Sequence, residues 1–129
     1  MSNILSNIGH FAIAAKDTEA LCKWYCDVLG FEVVIETPKT ESRPHPVYFI
    51  QLGNKIVIEL IPASDKERSE REANDPGFAH IAMPVDNFKE TTDDLKSKGI
   101  TLYNVRQTSL GMTIGYFDDP EGNLLEIYE

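Results

Sequence analysis

The sequence predicts an α+β fold built from two βαβββ modules. Short apolar or alternating segments suit strands, and each half of the chain has one segment with helical spacing of its apolar residues. The order of these segments also repeats, because GHFAIAAKDTEAL and AHIAMPVDNFKET align at an offset of 70 residues and pair His10 with His80. We therefore expect one domain over 1–129, with repeat 1 at about 5–62, a connection at 63–76 and repeat 2 at about 77–129.

The first module is predicted to start with a strand at 8–15 and a helix that follows it. Asp17 is a candidate N-cap for this helix, and Gly30 is placed to end it. The apolar residues at helical spacing, which predict packing on a sheet, are Leu21, Trp24, Tyr25, Val28 and Leu29. Further strands are expected at 31–35, 47–52 and 55–61, and Gly53-Asn54 suits a tight turn between the last two.

The second module repeats this plan. Asn87, with Glu90 three residues later, indicates a helix start, and Gly99 is placed at its end as Gly30 is in the first module. Strands are predicted at 100–105, 113–117 and 124–128, with turn residues at 118–123. The repeat therefore extends from the first strand of each half to the last.

Composition places the chain among ordinary globular proteins. It has 129 residues, with 42% hydrophobic and 26% charged, which is enough for a buried core. A net charge of -9 argues against nucleic acid or a membrane surface as a partner. No targeting segment is visible at the N-terminus, and Cys22 and Cys26 lie four apart on the predicted helix, which disfavours a disulfide. We expect a cytoplasmic protein.

Two histidines and two glutamates stand at equivalent positions of the two halves. His10 and His80 are placed on the first strand of each half, each followed two residues later by an alanine. Glu59 and Glu126 interrupt apolar runs in the last strands, where an ionised carboxylate must face water, pair with a cation or bind a metal. A single histidine is more often a hydrogen-bonded core residue, and a single glutamate is more often exposed. The repetition favours a metal site.

The four side chains have the chemistry of a catalytic metal site. Two neutral imidazoles and two carboxylates carry a formal charge of about -2, which a divalent ion cancels. Nitrogen and oxygen ligands without thiolate suit nickel, cobalt, zinc, manganese or iron. Four protein ligands leave coordination positions for water or substrate oxygens. A closed structural zinc site would more often use cysteine.

The chain resembles the vicinal oxygen chelate superfamily, and within it the glyoxalase I (lactoylglutathione lyase) branch. The motifs that carry the resemblance are IGHFAIAAKDTEALCKWYCDVLGFEVV, GFAHIAMPVDN and FDDPEGNLLEIYE, and it covers essentially the whole chain. The resemblance implies a homodimer, one divalent metal per site, and a small substrate whose two neighbouring oxygens bind that metal. Glu126 matches the base that moves the proton, and Glu59 is the second candidate. Epimerases, dioxygenases, fosfomycin-resistance enzymes and metal-free bleomycin-binding proteins of the same superfamily are the alternatives.

The resemblance implies a lyase or isomerase acting on an α-hydroxycarbonyl or a thiohemiacetal, as in methylglyoxal detoxification. Glutathione-using members usually have an arginine where this chain has Ala14, and a basic residue in the loop at 109–112, which is absent here. The cations left to bind glutathione carboxylates are Arg43, Lys39 and Arg106. Another thiol, or none, is the alternative. Arg43 and His45, in the proline-bearing loop before the third strand, are the predicted substrate-binding residues.

Overall fold

The computed structural model describes residues 4–129 and contains two compact units, one ending at Lys66 and the other spanning Glu67–Glu129. Each unit has one helix and one four-stranded sheet in the order βαβββ, which confirms the predicted fold class. The prediction that both repeats form one domain stays a prediction.

The first unit contains one helix on a mixed sheet. Its elements are β1 (Phe11–Ala15), α1 (Thr18–Leu29), β2 (Glu32–Thr37), β3 (Val47–Leu52) and β4 (Lys55–Pro62). The strand order is β1-β4-β3-β2, in which β1 runs parallel to β4 and the other pairs are antiparallel. The first and last strands of the unit are therefore neighbours.

The second unit has the same topology. Its elements are β5 (Ile81–Pro84), α2 (Phe88–Ser97), β6 (Tyr103–Gln107), β7 (Thr113–Asp118) and β8 (Leu124–Tyr128). The strand order is β5-β8-β7-β6, and β5 is parallel to β8. This equivalence of topology extends the local sequence repeat to the whole of each unit.

Three of the four helix ends have the predicted capping residue, and the fourth, the C-terminus of α2, is capped by Lys98 instead of Gly99. The Asp17 side chain accepts a hydrogen bond from the Ala20 amide at 3.0 Å, and Gly30 ends α1 with φ 78°. In the second unit, the Asn87 side chain accepts from the Glu90 amide at 2.9 Å. Each cap satisfies an amide that has no partner inside its helix.

The core of the first unit lies between α1 and one face of its sheet. Leu21 and Tyr25 of α1 are fully buried, as are Ile50, Ile58 and Leu60 of β3 and β4. Trp24, predicted on the same apolar stripe, is only half-buried. The inward face of α1 is thus narrower than the sequence indicates.

Three predicted strand starts, at residues 8, 31 and 100, were wrong, since these strands begin at Phe11, Glu32 and Tyr103. Strands β1 and β5 begin at Phe11 and Ile81, so both histidines come immediately before the strands on which they were placed. The strand predicted at 100–105 begins at Tyr103. Ile100 instead helps to close α2, since its amide donates to the Leu95 carbonyl at 2.9 Å.

Cys22 and Cys26 are both free thiols in the structure. Burial raises the pKa of Cys22 from 9.0 to about 12, with further contributions from Cys26 and Glu36. The Cys22 thiol is therefore protonated and unreactive at neutral pH.

The connection between β4 and β5 is held by arginines. Arg71 donates to the carbonyls of Asp75, Pro76 and Phe78 at 2.9–3.1 Å, and Arg68 donates to the Asn123 side chain at 2.7 Å.

No helix in residues 4–129 is both long and apolar enough to cross a membrane. The cytoplasmic location stays a prediction.

Gly115 lets α2 approach β7 closely. A Cβ atom added there would lie 3.0 Å from Leu102 Cδ1, 3.1 Å from Phe88 Cζ and 3.2 Å from Val105 Cγ2. We expect Gly115→Ala to lower the free energy of unfolding by about 1–3 kcal/mol through overpacking. Gly9→Ala is the matched control, because a Cβ at Gly9 meets nothing within 4 Å. Equal urea midpoints for the two variants would contradict this reading of the packing.

Candidate metal centre

The pairing of the first strand with the last brings a histidine and a glutamate together in each unit. Ala12 of β1 pairs with Glu59 of β4, and Ala82 of β5 pairs with Glu126 of β8. Paired residues face the same side of a sheet, and residues two apart along an extended chain also share a side. The histidine two residues before each alanine therefore lies beside the carboxylate.

The two histidine–glutamate pairs have closely similar geometry. His10 Nε2 lies 3.4 Å from Glu59 Oε1, and His80 Nε2 lies 3.2 Å from Glu126 Oε2. The side chains of the first pair are 42% and 24% exposed, and those of the second are 29% and 11% exposed. Both pairs are accessible to a ligand, and Glu126 is the more enclosed of the two carboxylates.

An aromatic ring supports each imidazole at the same register position. Phe49 pairs with Glu59, and its ring meets His10 edge-on at a centroid distance of 5.5 Å. Tyr116 pairs with Glu126, and its ring lies 5.7 Å from that of His80. Each of these aromatic residues comes ten positions before its glutamate, so the repeat in the sequence carries this signal too.

Small side chains leave space on the face that carries the pairs. Ala12 and Ala14 in the first unit and Ala82 in the second are exposed. Ala12 and Ala82 pair with Glu59 and Glu126, so a larger side chain at either position would crowd that carboxylate. The predicted role of the alanines as space-leaving neighbours therefore agrees with the structure.

The spacing inside each pair fits coordination of one ion. Ligands at about 2.0–2.2 Å from a metal lie roughly 3.0–3.5 Å apart when the angle between them is tetrahedral or octahedral. The observed separations of 3.4 Å and 3.2 Å fall in this range. An imidazole nitrogen and a carboxylate oxygen also form a donor set that suits a divalent first-row metal.

Each unit supplies one such pair. Among residues 4–129, no group of three or more histidine, cysteine, aspartate or glutamate side chains lies close enough together to hold a metal ion. The prediction that His10, Glu59, His80 and Glu126 bind one ion together stays a prediction.

The predicted substrate-binding residues lie in the loop between β2 and β3. His45 Nδ1 is 3.5 Å from Glu19 Oε1 on α1, and Arg43 Nη2 donates to the Pro38 carbonyl at 3.5 Å. The Thr18 hydroxyl donates to the Pro46 carbonyl at 2.7 Å and fastens this loop to the helix. A role for His45 and Arg43 in binding substrate stays a prediction.

The second unit carries polar residues on the pair's face that the sequence analysis missed. The Tyr103 hydroxyl donates to Asp118 Oδ1 at 2.7 Å, and the Tyr103 ring meets that of Tyr116 edge-on at 6.0 Å. Arg106, considered only as a possible partner of glutathione, lies over the Tyr116 ring. Their strand gave no alternating pattern, so nothing in the sequence singled out this face.

The turn before β8 fixes the position of Glu126. Asp119 is buried, and its carboxylate accepts from the amides of Glu121 and Asn123 at 2.9 Å each and from the Asn123 side chain at 2.7 Å. These bonds hold the ends of β7 and β8 in register, which sets Tyr116 opposite Glu126.

An α+β protein with two βαβββ units is the class that this fold defines. The chain belongs to the Glyoxalase/Bleomycin resistance protein/Dioxygenase superfamily, whose family model matches residues 7–127.

Among its relatives, the uncharacterized protein YwkD of Bacillus subtilis is 31% identical over 98% of both chains, and YaeR of Escherichia coli is 32% identical over 97% of both. The crystal structure of a glyoxalase family protein from Enterococcus faecalis superposes with a TM-score of 0.82 at 26% identity, covering 98% of this chain and 100% of the other. The family and its fold are therefore established.

More distant relatives carry names of different reactions. Mouse mitochondrial methylmalonyl-CoA epimerase is 33% identical over 74% of this chain, which spans 55% of that protein. A protein named "Probable lactoylglutathione lyase" from Synechocystis is 25% identical over 93% of this chain, and biphenyl-2,3-diol 1,2-dioxygenase 3 of Rhodococcus globerulus is 26% identical over 96%.

We expect Tyr103 to remain a hydrogen-bond donor well above neutral pH. Partial burial, the hydrogen bond to Asp118 and the charge of that carboxylate raise the pKa of Tyr103 from 10.0 to about 12. An ultraviolet titration of the unmodified protein should show a phenol that ionises with a pKa of about 12, and Tyr103→Phe should remove that ionisation. Asp118→Asn removes the negative partner and should bring that ionisation towards 10. A Tyr103 that ionises near 10 in the unmodified protein would contradict this contact.

Proposed function

We propose that this protein is a divalent-metal-dependent enzyme that moves a proton on a carbon beside two metal-bound substrate oxygens, in the manner of glyoxalase I. The proposal rests on one observation: each unit has a histidine beside a glutamate at the same register position. The distance from the imidazole nitrogen to the carboxylate oxygen is 3.4 Å in the first unit and 3.2 Å in the second. One such pair is a common surface contact. Two at equivalent positions, each beside exposed alanines, support a shared role.

His10, Glu59, His80 and Glu126 would hold the ion, either within one chain or across a homodimer. Their formal charge of about -2 balances a divalent cation, and nickel, cobalt, zinc, manganese and iron all accept this donor set. A bound ion of this kind supplies stabilisation of the negative charge that develops on the substrate oxygens during proton removal. The side chains would take the proton from the substrate and return it.

Glu126 is the proposed base. Its side chain is 11% exposed, against 24% for Glu59, so a proton that it takes is better shielded from bulk water. His80 at 3.2 Å and the register with Tyr116 hold the carboxylate in one orientation. Glu59, in the equivalent place of the first unit, is the second candidate. A positioned base is worth roughly 10²–10⁴-fold in rate.

The names of the relatives support proton transfer as the class of reaction. An epimerase inverts a carbon centre. Removing a proton from that carbon and returning one to its opposite face gives this inversion. The lyase name matches the glyoxalase I reading, with an α-hydroxycarbonyl or a thiohemiacetal as substrate. The dioxygenase name marks the alternative. The presence of Glu59 as a second carboxylate favours proton transfer over dioxygenation. By the family resemblance, dioxygenases bind their metal with two histidines and only one glutamate.

Two positions of this chain argue against glutathione as the thiol. Ala14 is exposed and small, and the loop at 109–112 has no cation to bind a carboxylate of the tripeptide. A different thiol adduct or a free α-hydroxycarbonyl fits these positions as well. An activity screen of the metal-loaded protein therefore includes methylglyoxal with glutathione, with other thiols, and with no thiol.

Metal binding should raise the stability of the folded chain. At free nickel or cobalt a hundredfold above its Kd, we expect about 2.7 kcal/mol of added stability, seen as a higher Tm. His80→Gln and His10→Gln should each lose most of this gain. His45→Gln is the matched control and should keep it, because His45 contacts Glu19 instead. Metal-independent melting of all four proteins would remove the basis of the proposal.

Glu126→Gln should separate binding of the metal from turnover. The amide still offers an oxygen ligand but cannot take a proton, so turnover on the best substrate of the screen should fall by about 10²–10⁴-fold. Calorimetric nickel affinity should fall far less. Glu90→Gln, on the exposed surface of α2, is the matched control. If turnover falls only in Glu59→Gln, the base lies in the first unit.

A further inference from the structure

Strand β6 contains an irregularity that decides where Arg106 points. Tyr103 pairs with Tyr116 and Arg106 pairs with Ile114, so three steps along β6 match two steps along β7. Asn104 in this segment has φ 53°, the left-handed region that non-glycine residues seldom occupy. This extra residue in one strand is a β-bulge.

The bulge places Arg106 on the face that carries the histidine–glutamate pair. In a regular strand, a residue three positions after Tyr103 would face the opposite side of the sheet. With the bulge, Arg106 shares a face with Ile114 and hence with Tyr116 two residues later. Tyr116 in turn pairs with Glu126. Bulges commonly re-aim a side chain beside a functional site.

Contacts on this face hold the guanidinium group in place. The Arg106 Cζ atom lies 5.4 Å from the centroid of the Tyr116 ring, within cation–π range. Its Nη2 donates to the Tyr116 hydroxyl at 3.4 Å, and its Nη1 donates to the carbonyl of Asn104 at 3.1 Å. Because Tyr116 also lies against His80, one aromatic ring bridges the cation and the candidate metal ligand.

The guanidinium has unused capacity to bind an anion. Among the described residues of the second unit, no carboxylate lies within salt-bridge distance of Arg106, and its two hydrogen bonds leave further N–H donors open. The other arginines of this unit, Arg68 and Arg71, are engaged in holding loops. The equivalent position of the first unit is Thr37, which pairs with Val47 as Arg106 pairs with Ile114.

We propose that Arg106 binds a carboxylate or phosphate group of the substrate, and so selects anionic α-hydroxycarbonyl compounds. The inference rests on the proposed function, since His80 and Glu126 would then engage the chelating oxygens of the same molecule. A planar guanidinium stacked on a ring binds such oxyanions through paired hydrogen bonds. Arg106 is a specificity-determining residue, and Tyr116 is the positioning residue beneath it.

Matched pairs of probes test this directly. Hydroxypyruvate and hydroxyacetone differ in a carboxylate, and dihydroxyacetone phosphate and dihydroxyacetone differ in a phosphate. Calorimetry on the nickel-loaded protein gives a Kd for each. In Arg106→Met, we expect the affinity for at least one anionic probe to fall by about ten- to a hundredfold, with the neutral partner and nickel affinity unchanged. The pair that responds identifies carboxylate or phosphate.

Two further variants make the result specific. Lys89→Met removes one positive charge from the exposed surface of α2 and should leave all four affinities unchanged. Arg106→Lys keeps the charge but loses the planar fork, so the anionic affinity should fall by an intermediate factor. It also decides the case if Arg106→Met does not fold. Equal losses for charged and neutral probes, or no loss for either anion, would overturn the proposal.

A failure of the metal proposal gives a different result. If nickel does not bind the unmodified protein, the same probes are added to the metal-free protein while the Arg106 Nε–H signal is followed by NMR. A shift with hydroxypyruvate or dihydroxyacetone phosphate, and none with the neutral partners, supports anion binding at Arg106 by itself. No shift with any probe rejects it.

Discussion

The parallel pairing of the first strand with the last in each unit is the constraint on which the candidate site depends. It sets Ala12 beside Glu59 and Ala82 beside Glu126, and thereby brings an imidazole within 3.4 Å of each carboxylate. A slip of one residue would turn Glu59 towards the buried face occupied by Ile58 and Leu60. Burying an unpaired carboxylate there would cost several kcal/mol, so folding and site geometry select the same register.

The two units keep this framework but differ in what surrounds the pair. Behind His10 the ring is Phe49, which has no polar group, whereas behind His80 the ring is Tyr116, which accepts a hydrogen bond from Arg106. The bulge at Asn104 adds a cation to the second face only. The two units have equivalent histidine–glutamate pairs, and the divergence of their neighbours gives one half an apolar lining and the other a polar one.

Features set by local chemistry were predictable from the sequence, and features set by strand pairing were not. Asp17 and Asn87 were predicted as caps because a cap depends on a few neighbouring residues. Glu59 and Glu126 were selected as candidates because an ionised carboxylate in an apolar run must face water, pair with a cation or bind a metal. Tyr103 and Arg106 escaped because their common face follows from the extra residue in β6, which becomes visible only against its partner strand.

Charge balance connects the two proposals. The chain carries a net charge of -9, and Glu126 and Asp118 both lie on the face that Arg106 shares, so these carboxylates weaken the binding of an anion at Arg106. A divalent ion at the proposed site would cancel the charge of the Glu59 and Glu126 carboxylates, and Arg106 would then be the cation that an incoming carboxylate or phosphate meets. Occupation by the metal should therefore raise the affinity for an anionic substrate above that of the metal-free protein. A neutral α-hydroxycarbonyl gains only the metal contacts, so the arginine discriminates between substrates most strongly once the ion is in place.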